Sequence, residues 1–342
     1  MAERQAIAVT GAAERQAIAV TGAAGFIGSH VVDALIARGE RVIAIDNLSM
    51  GSLANLEQHA ENPRFSFHQI DVTDGDAFRG VCEDVSALIH LAAFKIPRYG
   101  KTLDTLRING VGTDNALEIC REQGCKLLLA STSDVYGRNP NVPFAETHES
   151  VYGPSSVRRW AYAVSKLYEE HLCYAYREAY GLDFVILRFF GSYGPRQHLS
   201  WWGGPQSVFI QAVLEDREIE IHGDGQQTRS FTYISDTVRG AIAALDTPQA
   251  IGEVFNIGST HEITILELAH RIKRLSRTPG EIKLQMVAYE QLGGGYQDVQ
   301  RRIPDPTKAA KVLGFSAEVD LDEGLLETIQ WQRQVQLERL LA

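Results

Sequence analysis

Residues 17–28 read AIAVTGAAGFIG, and the architecture can be worked out from this stretch. An apolar run, AIAVT, is followed directly by Gly22, Gly25 and Gly28 and then by an amphipathic segment. In a strand–turn–helix unit such glycines allow a tight turn, close approach of a pyrophosphate and packing of the helix on the strand. The helix after the loop offers backbone N–H groups to the phosphates. The stretch therefore predicts a dinucleotide-binding loop.

The acidic residue after the second apolar run indicates which dinucleotide binds. Asp46 ends the run RVIAID, eighteen residues after Gly28, where a carboxylate accepts hydrogen bonds from the adenosine ribose. A carboxylate there would repel a 2′-phosphate, so the sequence predicts NAD rather than NADP. Asp71, after the third run, is either an adenine contact or a turn aspartate. The predicted cofactor residues are Gly22, Gly25, Phe26, Ile27, Gly28, Asp46, Asn47, Asp71, Val72, Leu91, Tyr162 and Lys166.

The chain begins with a perfect tandem repeat. Residues 2–12 read AERQAIAVTGA, and residues 13–23 repeat the same string. Gly11 is followed three residues later by Glu14 instead of a glycine, so only the second copy completes the glycine pattern. We therefore expect residues 1–12 to be a surplus tail and the cofactor domain to begin at residue 13.

Short apolar runs alternate with longer amphipathic segments over the first 190 residues. The runs are uninterrupted, without alternating polar positions, which is typical of strands in a parallel sheet covered on both faces. This order predicts an α/β fold with a Rossmann-type, doubly wound parallel sheet. Predicted strands are 17–21, 41–46, 65–70, 87–92, 126–131 and 183–188, and predicted helices are about 26–38, 102–123 and 158–180.

The second half of the chain predicts a smaller, C-terminal α/β lobe that binds the substrate. After Phe190 the sequence becomes richer in Gly, Pro and Trp, and VFNIG (254–258) returns to the sheet. We therefore assign residues 13–190 to the NAD-binding domain, to which the chain returns near 231–258. The substrate lobe is assigned to residues 191–230 and 259–342.

Composition limits the possible classes of function. Hydrophobic residues make up 44% of the chain and charged residues 22%, as in ordinary globular proteins. The net charge of −10 argues against nucleic-acid binding, and no apolar run reaches the roughly 18 residues that span a bilayer. The four cysteines and ten histidines show no metal-ligand spacing, so no metal site is predicted. These features predict a cytoplasmic protein with reduced thiols.

A second motif carries the reactive groups. Tyr162 and Lys166 stand four residues apart, which places them on one face of a helix. A tyrosine has an ordinary pKa of about 10, so it acts as a base at neutral pH only when cations are nearby. Lys166 and a nicotinamide ring would supply those cations. Thr132, after the strand KLLLAS, would hydrogen-bond the same substrate hydroxyl as Tyr162.

These motifs resemble those of the extended short-chain dehydrogenases that remodel nucleotide sugars. The resemblance is carried by GAAGFIG (22–28), STSDVYG (131–137), YAVSK (162–166) and RFFGSYGPR (188–196), and it covers nearly the whole chain after residue 16. It implies that NAD removes a hydride from sugar C4 with Tyr162 as base, and that later chemistry uses the 4-keto sugar. It also implies a two-lobed homodimer formed through the helices near 102–123 and 158–180.

Members of this family differ in the chemistry that comes after oxidation, and three features favour decarboxylation. Asp134 resembles the carboxylate, usually Glu, that decarboxylases and dehydratases have near sugar C5. Ser133 stands where the usual sugar 4,6-dehydratases have an acid, which disfavours dehydration. GPSSVRRWAY (153–162) and RIPD (302–305) resemble UDP-glucuronate decarboxylases. By that resemblance Arg302 would bind the C6 carboxylate, although Arg301 beside it is an alternative.

The resemblance also supplies further substrate contacts. Arg229 matches the family position that pairs with the nucleotide diphosphate, and Arg159 belongs to the decarboxylase-like stretch. Lys95 matches a lysine that touches substrate in several epimerases and dehydratases. Gly191 replaces the asparagine that is usual in RxFNxxGPR and that helps to hold the substrate, which leaves substrate placement open.

The sequence as a whole favours a UDP-glucuronate decarboxylase that produces UDP-xylose, UDP-4-keto-pentose or both. A UDP-hexose 4-epimerase or a nucleotide-sugar 4,6-dehydratase is the alternative, because oxidation at C4 is common to all of them. A non-catalytic NAD or nucleotide sensor is a more remote alternative, since a fold does not by itself determine a function.

Overall fold

The computed structural model describes residues 16–95, 101–293 and 296–341. The strands, in chain order, range from two to seven residues in length. They are β1 (Ala17–Thr21), β2 (Val42–Ile45), β3 (Phe65–His68), β4 (Val85–His90), β5 (Lys126–Thr132), β6 (Phe184–Phe189), β7 (Ser192–Tyr193), β8 (Ile219–His222), β9 (Thr228–Ser230), β10 (Thr232–Tyr233), β11 (Glu253–Ile257), β12 (Glu262–Thr264), β13 (Leu284–Val287) and β14 (Arg301–Arg302).

Seven of these strands form one sheet in the order β11-β6-β5-β4-β1-β2-β3. Every neighbouring pair in it is parallel. The strand order reverses between β1 and β4, which creates a crevice at the carboxyl ends of the strands. The remaining strands form three small sheets: β10-β7, β12-β9-β14 and β13-β8.

Helices cover both faces of the large sheet. They are α1 (Phe26–Ala37), α2 (Gly75–Val81), α3 (Thr102–Gln123), α4 (Trp160–Tyr180), α5 (Pro205–Leu214), α6 (Ile234–Asp246), α7 (Ile265–Ser276), α8 (Thr307–Leu313) and α9 (Leu321–Leu341). Helices α1 and α6 pack together on one face, whereas α2, α3 and α4 cover the other. The doubly wound α/β fold that the sequence predicts is therefore confirmed.

Each strand contributes to two hydrophobic cores because successive side chains point to opposite faces. In β1, Ile18 and Val20 join the core under α1 and α6, while Ala17 and Ala19 join the core under α3 and α4. The first core also extends into the C-terminal part of the chain, where it includes Leu325 of α9. Since one core runs through both parts, the division into two lobes stays a prediction.

The predicted strands and helices of the large sheet agree with the structure to within two residues at each end. Helices α2 and α5–α9 and the short strands β7–β10 and β12–β14 were not anticipated. The surplus tail proposed for residues 1–12 lies outside the described residues. No helix in the described part of the chain is long and apolar enough to cross a membrane. The four cysteines are buried and free, and the cytoplasmic location stays a prediction.

Candidate active site

A cavity of about 750 Å³ opens at the carboxyl ends of the parallel strands, where the strand order reverses. Ligands of doubly wound sheets bind in this crevice. The walls come from the loops after β1, β2, β4 and β5, from α4, and from β9 and β14. One end of the cavity is therefore formed by the glycine loop, and the other by polar side chains that are distant in sequence.

The cofactor end is built around the loop between β1 and α1. A side chain at position 28 would place its Cβ 2.0 Å from the carbonyl oxygen of Gly22, so the loop can approach the helix this closely only at a glycine. Helix α1 begins at Phe26, and its first turn lies in the cavity wall together with Gly25 and Ile27. Because the first N–H groups of a helix have no partner within it, this arrangement fits a pyrophosphate.

Asp46 follows β2 and lines the same end of the cavity. Its carboxylate accepts hydrogen bonds from the backbone N–H of Ala24 at 3.0 Å and of Leu48 at 2.8 Å, which fix it beside the glycine loop. Burial raises the pKa of this carboxyl, and the backbone hydrogen bonds oppose that shift. Each oxygen has a second lone pair, so the carboxylate is also able to accept a ribose hydroxyl.

The structure describes all the predicted cofactor residues. Among them, Asp71 lies outside the cavity wall, and the others are part of it. Its carboxylate accepts hydrogen bonds from the Asn47 amide at 2.8 Å and from the Thr73 hydroxyl at 2.7 Å. This is the geometry of a turn aspartate, which was the alternative interpretation. The predicted cofactor residues that line the cavity are Gly22, Gly25, Phe26, Ile27, Gly28, Asp46, Asn47, Val72, Leu91, Tyr162 and Lys166.

The middle of the cavity is formed by Tyr162 and Lys166 of α4 and by Thr132 at the end of β5. Lys166 is almost fully buried, and its ammonium donates a hydrogen bond to the carbonyl of Ala130 at 2.9 Å. It also forms an ion pair with Glu169 at 2.8 Å. Lys166 is thus held by the backbone of β5 and by an acid of its own helix.

The protonation of Tyr162 depends on the groups around it. Burial raises the pKa of Tyr162, and the carboxylates of Asp134 and Glu169 raise it further. The hydroxyl of Thr132 and the charge of Arg302 oppose this shift. Without a further cation Tyr162 is therefore a neutral phenol, and the positive nicotinamide ring of NAD would supply the charge that a base requires.

Asp134 and Arg302 form an ion pair at the other end of the cavity, with 2.9 Å between Oδ1 and Nη2. Burial opposes ionisation of Asp134, but the charges of Arg302, Arg159 and Arg229 together lower the pKa of its carboxyl. Burial lowers the pKa of Arg302 to about 10, against the attraction of Asp134. Both groups are consequently ionised at neutral pH.

The neighbouring Arg301 occupies a different environment. Its side chain is 54% exposed and forms an ion pair with Glu262, with distances of 2.8 and 2.9 Å to the two carboxylate oxygens. Arg301 does not line the cavity, whereas Arg302 does. Of the two arginines that the sequence left open, the structure brings Arg302 to the other predicted residues.

Two more arginines are organised by Asp298. Its Oδ1 is 2.8 Å from Nη1 of Arg159 and 2.9 Å from Nη2 of Arg229, and these charges lower the pKa of Asp298 despite its burial. Arg229 also donates to the backbone carbonyls of Thr228 and Val299, both at 2.7 Å. Both arginines line the cavity, as predicted substrate residues would. Their roles in binding stay predictions.

Lys95 also lines the cavity, and burial lowers the pKa of its ammonium to about 8, against the attraction of Asp134. Gly191 has a φ of 53°, and a Cβ there would lie 2.5 Å from the carbonyl oxygen of Ser230. A side chain is therefore strained at this position in the backbone conformation that the chain adopts.

Several residues near the site were missed by sequence reasoning. Asp298 has no motif around it, and its importance arises from its contact with Arg159, 139 positions away in sequence. Glu169 lies three residues after Lys166, so the sequence already showed an acid on the same helix as a predicted reactive group. Trp331 and Arg339 of α9 line the cavity as well, and no pattern in the C-terminal helix indicated this.

Comparison with known proteins identifies the family. The NAD dependent epimerase/dehydratase family matches residues 18–258. UDP-N-acetyl-alpha-D-glucosaminuronate decarboxylase of Bacillus cytotoxicus is 36% identical over 92% of this chain and 96% of that protein. UDP-glucuronic acid decarboxylase 1 of Xenopus tropicalis is 34% identical over 91% of this chain and 70% of that protein.

Solved structures agree with the family match. A UDP-glucuronic acid 4-epimerase from Bacillus cereus, in complex with UDP-glucuronic acid and NAD, is 32% identical to this chain. The two structures align with a TM-score of 0.83 over 93% of this chain and 99% of that one. The chain therefore belongs to the NAD dependent epimerase/dehydratase family, and it is an NAD-dependent enzyme.

Proposed function

We propose that this enzyme oxidises and decarboxylates a UDP-hexuronate, with UDP-glucuronate as the favoured substrate. The observation that carries the proposal is the ion pair between Asp134 and Arg302, in the same cavity as Tyr162 and Thr132. A guanidinium is planar and permanently charged, and it presents two parallel N–H groups to a carboxylate. An epimerase that only rotates a keto sugar has no need of a carboxylate at position 134.

The first step is oxidation at C4 of the sugar. Tyr162 accepts the proton of the C4 hydroxyl, while Thr132 hydrogen-bonds the same oxygen and orients it. Lys166 stabilises the phenolate form of Tyr162 and binds the cofactor ribose. NAD, held by the glycine loop and Asp46, accepts the hydride from C4.

The second step is loss of CO2 from the resulting β-keto acid. Arg302 binds the C6 carboxylate and orients the bond between C5 and C6 relative to the C4 carbonyl. When that bond breaks, its electrons form an enolate that is delocalised onto the C4 oxygen, which Tyr162 and Thr132 stabilise. Asp134 is ionised, so it acts near C5 by accepting a hydrogen bond from a sugar hydroxyl or a water. A proton from solvent then adds at C5, in place of the carboxylate that was lost as CO2.

The 4-keto-pentose has two alternative fates. Return of the hydride to C4, with the proton from Tyr162, gives UDP-xylose. Early release gives UDP-4-keto-pentose and leaves NADH. The relatives support decarboxylation, and the Bacillus cytotoxicus protein is named for a substrate with an N-acetyl group. A substrate with a 2-acetamido group is therefore tested beside UDP-glucuronate.

A 4-epimerase is the second candidate. The Bacillus cereus structure with UDP-glucuronic acid is an epimerase of similar fold. Such an enzyme would use Tyr162 and Thr132 in the same way and would use Arg302 to bind a hexuronate without breaking its C5–C6 bond. The two candidates differ in the mass of the product.

We also propose that the enzyme is a homodimer formed through α3 and α4. Both helices present large apolar side chains that are more than one-third exposed, and these would be covered by the same helices of a second copy. They are Leu103, Leu106, Val111, Val164 and Tyr168. Light scattering should give twice the mass of one chain, and replacing Val111 and Val164 by Glu should yield monomers.

The decisive experiment resolves the products by mass after incubation with NAD. The substrates are UDP-glucuronate, UDP-N-acetylglucosaminuronate and UDP-glucose. Loss of one CO2 from either hexuronate is the expected result, and Tyr162→Phe should slow it by about 100- to 10,000-fold without preventing NAD binding. A new C4 epimer of unchanged mass would contradict decarboxylation, and an unaffected Tyr162→Phe variant would contradict the assigned base.

A further inference from the structure

Glu169 is a buried carboxylate that has no part in the proposed reaction steps. It lies on α4 one turn after Lys166 and is completely buried, with its Oε2 2.8 Å from the Lys166 ammonium. Tyr162, Lys166 and Glu169 are spaced by four and then three residues, so they share one face of the helix. An acid therefore lies directly behind the lysine that assists the base.

Stability alone does not explain this ion pair. Nε2 of His90 is buried without a hydrogen-bond partner among the described residues, and Oε1 of Glu169 meets the hydroxyl of Thr113 only in a poorly aligned contact. Thr113 faces Glu169 from α3, and His90 faces Lys166 from β4. Buried charges with unsatisfied neighbours cost free energy, and apolar residues of similar volume are often at least as stable. The pair is better explained by its position beside Tyr162.

One effect of Glu169 is on the location of the ammonium. An ammonium has three N–H groups. Lys166 directs one at Glu169 and one at the carbonyl of Ala130, at 2.8 and 2.9 Å. These two contacts hold the nitrogen against the end of β5, beside Thr132. The third N–H group is then left for a ligand in the cavity, whose wall includes Lys166.

The other effect of Glu169 is on charge. Burial raises the pKa of its carboxyl, whereas the Lys166 ammonium at 2.8 Å and the Thr113 hydroxyl oppose that shift and favour the ionised form. His90 is neutral, because burial lowers its pKa to about 3. Arg188 is paired with Glu170 at 2.6 Å, so these two charges offset each other. The groups that face Tyr162, Lys166 and Glu169 are Asp134 after β5, Arg302 of β14, His90 of β4, and Glu170 and Cys173 of α4.

We propose that Glu169 is a positioning residue, which holds the Lys166 ammonium against the end of β5 and sets the pH range in which Tyr162 acts as a base. This inference rests on the proposed function only in taking Tyr162 as the base, and it requires no particular sugar. Removing the negative charge should make the phenolate easier to form. Tyr162 and Glu169 are about 10 Å apart along the helix axis. The expected shift is therefore roughly one pH unit toward lower pH.

The test compares Glu169→Gln with the wild type in the presence of NAD. The ultraviolet band of tyrosinate is titrated, and subtraction of Tyr162→Phe isolates the signal of Tyr162. Glu178→Gln makes the same charge change at an exposed position of α4 and is the matched control. We expect the midpoint to fall by roughly one pH unit in Glu169→Gln and to stay unchanged in the control. An unchanged or higher midpoint in Glu169→Gln would overturn the proposal.

A second variant covers the case in which Glu169→Gln does not fold. Glu169→Asp keeps the charge but draws it back by one methylene, and the ammonium should follow it away from Ala130. NAD binding, measured by calorimetry on folded protein, should weaken several-fold, and unchanged binding would overturn the positioning role. Neither readout needs a sugar substrate, so failure of this inference is distinguishable from failure of the proposed decarboxylation.

Discussion

The two ends of the cavity achieve ligand binding by different means. At the cofactor end, Gly22, Gly28 and Asp46 come from one strand–helix–strand unit, and close backbone approach is the main requirement. At the sugar end, Arg159 reaches Asp298 across 139 positions of sequence, and the requirement is a balance of buried charges. The cofactor end should therefore be sensitive to added volume, whereas the sugar end should be sensitive to charge at constant volume.

The largest effect is expected from added volume at the cofactor end. Gly28→Ala places a methyl group 2.0 Å from the Gly22 carbonyl oxygen, so the loop must move away from the helix that binds the pyrophosphate. NAD binding, measured by calorimetry, should be lost completely. Gly80→Ala on α2 is the matched control, because no atom lies within 4 Å of the added methyl. Retention of NAD binding by Gly28→Ala would show that the cofactor end is not sensitive to added volume, which is the property that distinguishes it from the sugar end.

The next largest effect is expected when a charge at the sugar end is removed without a change in side-chain volume. Asp134→Asn should lower the rate of decarboxylation by about 100- to 1,000-fold, because the carboxylate that works near C5 is lost. NAD affinity should stay at the wild-type value, since Asp134 lies away from the glycine loop. Asp224→Asn, on an exposed turn, is the control for the charge change. Full activity of Asp134→Asn would favour the epimerase.

Replacing each of two adjacent arginines tests whether direct contact or overall charge determines catalytic efficiency at the sugar end. Arg302→Gln should reduce kcat/KM for a hexuronate by about 10- to 100-fold, through loss of charged hydrogen bonds. Arg301→Gln should have little effect, because Arg301 lies outside the cavity and its ion pair with Glu262 is partly exposed to solvent. Steady-state kinetics on both variants measure kcat/KM and distinguish these two explanations. Equal losses would show that the arginine acts through overall charge instead of contact.

The cofactor end was the part of the site that could be predicted from sequence. Strands β1, β2, β5 and β6 are buried along almost their whole length, so they are uninterrupted apolar runs, whereas β3 at the sheet edge is only partly buried. All of the first six strands could be located to within two residues. The glycine loop and Asp46 follow such runs directly, and their spacing reflects local geometry. Family resemblance extended the prediction to Tyr162 and Thr132.

The remaining features could not be predicted for identifiable physical reasons. Strands β9 and β14 have three and two residues, which is too few for a pattern of hydrophobicity to indicate a strand. The role of Asp298 depends on Arg159 and Arg229 lying beside it, and nothing local to Asp298 reports that proximity. Predicting a role for Glu169 would have required the knowledge that its side of α4 is fully buried.

The smallest expected effect is a pH dependence of substrate binding at the sugar end. Burial lowers the pKa of Lys95 to about 8, so its ammonium is charged below that pH and neutral above it. A UDP-hexuronate is an anion, and binding should therefore weaken as the pH rises through about 8. KM should increase several-fold across this range while NAD affinity stays constant. Lys95→Met should abolish the dependence, and Lys308→Met, which removes a remote lysine paired with Glu253, should preserve it.

The same lysine allows a thermodynamic test that does not depend on turnover. If the charged form of Lys95 binds the substrate better, bound substrate must raise the pKa of Lys95 by linkage. Binding at a pH slightly above 8 should then take up a proton from solution. Calorimetry in buffers of different ionisation enthalpy measures this uptake, which should disappear in Lys95→Met. Proton uptake that persists in the variant would assign the titration to a group other than Lys95. The pH dependence near 8 would then no longer distinguish the sugar end from the cofactor end.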